Sequence, residues 1–277
     1  MHPILFESGS LTIFTYGFFI ALGAVLGGLY MWWQGKKQFG WSFDQANTLF
    51  VLLIVAGVVG GKLFVLFEAP RYYLSNPLKL FSGSGFVFYG SLLTAIPTML
   101  WFFKKNKIPT LAMLDVMAIV TCIVHGFGRI GCFNAGCCYG LPTTLFLGVT
   151  FTNSSCQAPL NTSLHPTQLY EVALIFGIAI LLLIHKRFKK FDGQQFLLYL
   201  ILYSIGRGFL EIFRGDLERG FIIRELISNS QLISLVVVIT ALYYYIKLNR
   251  KTNLTLNRRN GKSKLVSKTD IKHDKMD

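Results

Sequence analysis

Apolar residues dominate seven stretches of this 277-residue chain, at about 11–33, 46–68, 86–103, 110–127, 167–185, 194–213 and 230–247. Each approaches the ~20 residues that a helix rising 1.5 Å per residue needs to cross a hydrocarbon core. The pattern predicts an all-α, polytopic membrane protein with seven transmembrane helices. One connection is long, 128–166, and it holds four of the five cysteines: Cys132, Cys137, Cys138 and Cys156. No repeat of solenoid period is visible.

Loop charge sets the threading, because Lys and Arg collect on the cytoplasmic side. With the N-terminus outside, the inner loops hold Lys36, Lys37, Lys104, Lys105, Lys107, Lys186, Arg187, Lys189 and Lys190, and the chain after 246 adds ten more. Nineteen of the 27 basic residues then lie inside. Six lie outside (Arg71, Lys79, Arg129, Arg214, Arg219 and Arg224), while Lys62 and Arg207 sit within segments. The N-terminus is expected outside and the C-terminus in the cytoplasm. Residues 1–248 read as the membrane domain, and 249–277 as a basic, disordered cytoplasmic tail. Met1–Ser10 lacks a basic n-region, so the first apolar segment is expected to stay in the mature protein.

A mean hydropathy of +0.51 excludes an ordinary soluble domain. The net charge of +14 sits mainly in inner loops and tail. Anionic headgroups and the positive-inside bias account for it there, so no nucleic-acid partner is expected.

The threading brings Tyr16, Lys62, Tyr89, Arg129, His165, Arg207 and Glu211 to the outer ends of their segments. Tyr199, Tyr203, Arg207, Glu211 and Arg214 recur at three- and four-residue spacing and form one helical stripe. A membrane-embedded arginine such as Arg207 needs a partner, and Glu211 lies one turn away. The pair marks either a functional site or a lock between helices. Arg129 and Lys62 bring further cations to the same level, and a guanidinium suits bidentate phosphate binding. Snorkelling also fits Arg129 or Arg214 taken alone, and an aromatic belt fits Tyr16 and Tyr89. His165 is either a base or part of a helix entry, with Pro166 at an early turn and Thr167 capping. The outer cysteines admit three readings, a zinc site, a reactive Cys137–Cys138 pair or a structural disulfide that could involve Cys156, and the disulfide is favoured because the compartment permits one. Their spacing matches no common zinc site, and neither metal nor cofactor is expected.

These residues fall into motifs: Thr15-Tyr16-Gly17, Gly60-Gly61-Lys62-Leu63, Val87-Phe88-Tyr89-Gly90, Gly128-Arg129-Ile130-Gly131 through Gly140, His165-Pro166-Thr167-Gln168-Leu169-Tyr170-Glu171, Arg207-x-x-x-Glu211-x-x-Arg214-Gly215-Asp216, and Ser228-Asn229-Ser230-Gln231. From about residue 12 to 245 the chain resembles the phosphatidylglycerol–prolipoprotein diacylglyceryl transferases of bacterial inner membranes. The resemblance implies transfer of a diacylglyceryl group from phosphatidylglycerol to the lipobox cysteine of a prolipoprotein signal peptide, without a cofactor. It implies catalytic roles for Arg129, Arg207, Glu211, Tyr16 and Tyr89, and substrate binding by Arg129, Lys62, Gly140, His165 and Arg214. The chain departs from the family in its signature loop. Cys132, Ala135 and Cys137 stand where the family has Asn, Asn and Glu, and Tyr89 and Lys62 replace a histidine and an arginine. A thiol oxidoreductase using the outer cysteines, or a non-catalytic lipid-binding paralogue, are the alternatives.

Overall fold

A computed structural model describes residues 2–9, 11–81, 85–215, 221–223 and 227–273. A hairpin of β1 (Ile4–Ser8) and β2 (Leu11–Phe14) leads into α1 (Thr15–Phe39) and α2 (Phe43–Leu63). The short helices α3 (Val65–Glu68) and α4 (Pro70–Ser75) precede α5 (Phe88–Lys105) and α6 (Thr110–Ala135). A second hairpin, β3 (Val149–Thr150) with β4 (Ser163–Leu164), comes before α7 (Thr167–His185) and α8 (Gln194–Leu210). The hairpin β5 (Phe221–Ile223) and β6 (Ile227–Ser228) then leads into α9 (Asn229–His273).

Long helices therefore occupy all seven expected segments. Among the described residues, six helices are long and apolar enough to cross a membrane: Thr15–Phe39, Phe43–Glu68, Thr110–Ala135, Thr167–Phe188, Gln194–Phe213 and Asn229–Thr255. The 18-residue α5 carries Pro97 in its interior and two lysines in its last turn. Asp216, Arg219 and Arg224, named above, lie outside the described residues.

The largest departure from the sequence pattern is α6. Its apolar run was expected to end at 127, yet the helix continues through Arg129 and Cys132 to Ala135. Gly126, Gly128 and Gly131 dilute the hydropathy there without breaking the helix. The break comes at Gly136, whose φ of +71° is a left-handed conformation that suits glycine. The Cys137 N–H returns to the Cys132 carbonyl at 3.2 Å and the Gly136 N–H to Phe133 at 3.2 Å, closing the helix end.

The chain divides into two compact units, one of Val25–Val120 and one of Met1–Ala24 with Thr121–Asp277. In the first, α2 packs on α5 through small residues. A β-carbon on Gly60 would strike the Gly90 carbonyl, and one on Gly90 would strike Phe64 and the Gly60 carbonyl. Ser91 and Thr94 hydroxyls donate across the seam to the Gly57 and Ala56 carbonyls, at 2.8 and 2.7 Å. Small side chains thus admit close backbones, and hydroxyls add hydrogen bonds, which is how helices associate where no hydrophobic driving force exists. The start of α2 is a capping box between Ser42 and Gln45.

In the second unit α8 packs against both α7 and α9. The connection between α6 and α7 builds its own small core from Phe151, Ala158 and Leu164, backed by Phe133, Tyr139, Val149 and Cys156. Ser228 and Gln231 cap the start of α9 reciprocally, at 3.1 and 3.2 Å.

Candidate active site

Three residues from two helices of the larger unit converge on one carboxylate, carried by a third helix. His125 and Arg129 lie one turn apart on α6 and so share a face. Glu171 on α7 is 3% exposed. Its Oε2 lies 3.0 Å from Arg129 Nε, and its Oε1 lies 3.4 Å from His125 Nε2. The Tyr203 hydroxyl on α8 donates to Oε1 at 3.0 Å. Arg129 Nε is also 3.3 Å from His125 Nε2. Tyr203 stacks on Tyr199 with ring centroids 5.8 Å apart, and its edge meets the His125 ring. A buried charge is tolerable only when paired and hydrogen-bonded, and Glu171 meets that condition for Arg129. Glu171 thus holds the guanidinium through Nε.

A second ion pair joins Arg207 on α8 to Glu211 one turn later, with side chains 13% and 2% exposed. The expected stripe does not run as one α-helix to Arg214. The α-helix ends at Leu210, Glu211–Phe213 tighten into a 3₁₀ turn, and Arg214 is extended. This turns Arg214 out of the helix and into a backbone bridge with Gly140.

Gly140 sits between two backbone segments. Its N–H donates to the His165 carbonyl at 3.0 Å, the Leu141 N–H to Phe213 at 2.9 Å, and the Gly215 N–H to Tyr139 at 3.1 Å. A β-carbon at Gly140 would lie 2.5 Å from the His165 carbonyl oxygen and 2.7 Å from that of Phe213. Gly140→Ala should therefore lower stability by about 1–3 kcal/mol through overpacking. An unfolding midpoint in detergent equal to that of the wild type would refute this role.

His165 stands just before Pro166 at the entry to α7. Its Nδ1 lies 3.2 Å from the Tyr170 hydroxyl, and its ring packs against Tyr170 and Phe213. Thr167 does not cap α7 as expected, since Pro166 holds the cap position and no side-chain cap bond forms. The Thr167 hydroxyl is instead committed to the Cys138 carbonyl at 2.7 Å. Tyr16 stands in the first turn of α1 and is 42% exposed, with its backbone against Gly131 of α6. In the other unit, Lys62 is half-buried in the last turn of α2 and Tyr89 is exposed near the start of α5.

All five cysteines are free thiols, so the disulfide expected for Cys156 is not formed. Cys156 packs against Gly136, while Cys132, Cys137 and Cys138 turn toward one another. Hydrogen bonds with Cys132 and Cys137 draw the Cys138 thiol well below its ordinary pKa against the effect of burial, and Arg129 and Arg214 add to this. Cys137 moves the other way, pushed up by its bonds with Cys132 and Cys138 and by burial.

The family described as prolipoprotein diacylglyceryl transferase matches residues 3–247. The chain belongs to that family. It is 39% identical to a phosphatidylglycerol–prolipoprotein diacylglyceryl transferase of Clostridium tetani, over 88% of this chain and 97% of the relative. A second such transferase, from Clostridium perfringens, is 34% identical over 88% and 94% of the two chains. One from Dehalococcoides mccartyi is 31% identical over 91% and 96%.

Two residues of this diacylglyceryl transferase fold were missed as site candidates. Glu171 closes the His165–Glu171 motif, and His125 falls inside an apolar segment, so the pattern alone marks neither as a site residue. The available signal was the i, i+4 spacing of His125 and Arg129, which puts an imidazole beside a buried guanidinium. The carboxylate that pairs with Arg129 comes from α7, 42 positions further along the chain, and no local spacing reveals it.

Proposed function

We propose that this chain transfers the diacylglyceryl group of phosphatidylglycerol to the lipobox cysteine thiol of a prolipoprotein, in the biogenesis of lipoproteins. Membership of the family over nearly the whole chain is the observation that carries the reading. The lipobox thiol gives up its proton, which ends on the departing phosphate, and the thiolate sulfur bonds to a glyceryl carbon. The bond from that carbon to the phosphate oxygen breaks, and glycerol phosphate leaves with the electron pair. Negative charge grows on the departing phosphate, and preorganised cations stabilise such charge most where water is excluded.

In this reading Arg129, oriented by Glu171, and Arg207, oriented by Glu211, bind the phosphate. Gly140 and His165 hold the outer loop against Arg214. Lys62, Tyr16 and Tyr89 serve the same reaction as substrate-binding and polar groups. Complementation of cells depleted of their own transferase tests the function. Growth and lipidated prolipoprotein are expected, and failure by a chain present in the membrane would refute it.

The seven helices cross the bacterial plasma (inner) membrane with the N-terminus outside and the basic tail in the cytoplasm. The bias in loop charge supports this. A C-terminal reporter that works only outside the cytoplasm should be silent; an active one would reverse the topology.

Glu211 acts by orienting Arg207, because an ionised, paired carboxylate is a poor base. Glu211→Gln should keep a hydrogen bond to Arg207 and part of the activity, whereas Glu211→Ala should be worse. Equal, complete loss in both would mean that Glu211 itself moves the proton.

A further inference from the structure

The sulfur atoms of Cys132, Cys137 and Cys138 all lie within 4.8 Å of one another. The backbone is arranged to bring them there. Gly136 reverses the chain at the end of α6, and the Cys137 N–H bond to the Cys132 carbonyl folds Cys137 back over the last helical turn. Cys138 then adopts φ +61°. Residues with a β-carbon rarely take this region, which costs about 1–2 kcal/mol and persists only where the surroundings enforce it. Here they do. The Cys138 carbonyl accepts from the Thr167 hydroxyl and the Cys137 carbonyl from Gln168 Nε2, both at 2.7 Å. Thr167 and Gln168 are 4% and 1% exposed, so the clamp is itself rigidly held.

Filling space does not require this arrangement. Cys122, wholly buried within α6, is how a merely packed cysteine looks. The thiols of Cys132, at the end of α6, and of Cys137 and Cys138 beyond it are only partly buried and turn toward one another, with Cys138 held at a strained positive φ. Thiolates are the preferred ligands of a borderline-soft d¹⁰ cation, and Zn–S bonds of about 2.3 Å put tetrahedral sulfurs about 3.8 Å apart. The observed spacing accommodates that. A divalent ion on three thiolates leaves one negative charge, and the guanidiniums of Arg129 and Arg214 act on this corner.

We propose that Cys132, Cys137 and Cys138 form a trithiolate site for a single Zn²⁺ ion, with the fourth coordination position open to water or an external thiol. The C-x-x-x-x-C-C spacing hides the site from a sequence search, because it depends on the left-handed turns at Gly136 and Cys138. The site stands apart from the transferase reading: it would exist whether or not the chain transfers lipid.

The purified full chain, reduced and treated with chelator, is titrated anaerobically with Co²⁺. A near-ultraviolet sulfur-to-cobalt charge-transfer band should saturate at one ion per chain and collapse when Zn²⁺ is added. Cys132→Ser and Cys138→Ser should weaken Co²⁺ binding by more than about tenfold, whereas Cys156→Ser should leave it unchanged. The wild-type chain gives a second readout that needs no variant. Zn²⁺ should protect Cys132, Cys137 and Cys138 from alkylation, as mapped by mass spectrometry, and leave Cys156 reactive. Absence of the band, a band that survives Cys132→Ser, or equal alkylation with and without Zn²⁺ would each overturn the proposal.

Discussion

Replacing Glu171 by Ala should cost the fold about 3–5 kcal/mol and abolish diacylglyceryl transfer, because it leaves a buried guanidinium without a counter-charge. The side chains of Glu171 and Arg129 are 4% and 16% exposed, so water cannot take over the lost partner. Three donors are affected at once, since Tyr203 and His125 also face this carboxylate. Glu171→Gln should do less harm. It can still accept from Tyr203 and from Arg129, but it no longer neutralises the charge. Thermal unfolding in detergent, read beside transfer rates, separates the two variants. A Glu171→Ala protein with wild-type midpoint and rate would show that α7 does not hold Arg129.

The second large effect concerns the guanidiniums themselves. Arg129→Gln and Arg207→Gln should each remove a charge-assisted hydrogen bond to the phosphate, on the order of 2–3 kcal/mol, or roughly 30- to 150-fold in rate. Arg129→Lys is the sharper probe. A lysine keeps the charge opposite Glu171, so stability should survive. It lacks the planar fork, so phosphate positioning should fail and the rate should fall. Wild-type turnover in both Gln variants would remove the arginines from the reaction.

Much of this molecule could be read from its sequence. Long apolar runs located the helices, because crossing a hydrocarbon core leaves little choice of length or composition. The i, i+4 spacing of Arg207 and Glu211 gave a pair that the structure contains. What the sequence hid depends on the third dimension. The α6 helix persists through Gly128 and Gly131 because a glycine in a helix weakens it without ending it, while Gly136 ends it by taking a positive φ. Glu171 meets Arg129 only once α7 packs beside α6. Gly140 is needed because two carbonyls from distant segments occupy the space a β-carbon would take. The cysteines misled for a similar reason: compartment suggested a disulfide, whereas the turns at Gly136 and Cys138 bring three thiols together and leave Cys156 against Gly136.

Purified chain, phosphatidylglycerol and a synthetic lipobox peptide are enough to test the transfer itself. One glycerol phosphate should be released for each thioether formed on the peptide cysteine, and a peptide with serine in that position should release none. If the chain binds phosphatidylglycerol and peptide but forms no thioether, or releases glycerol phosphate equally with the serine peptide, the transferase reading is wrong.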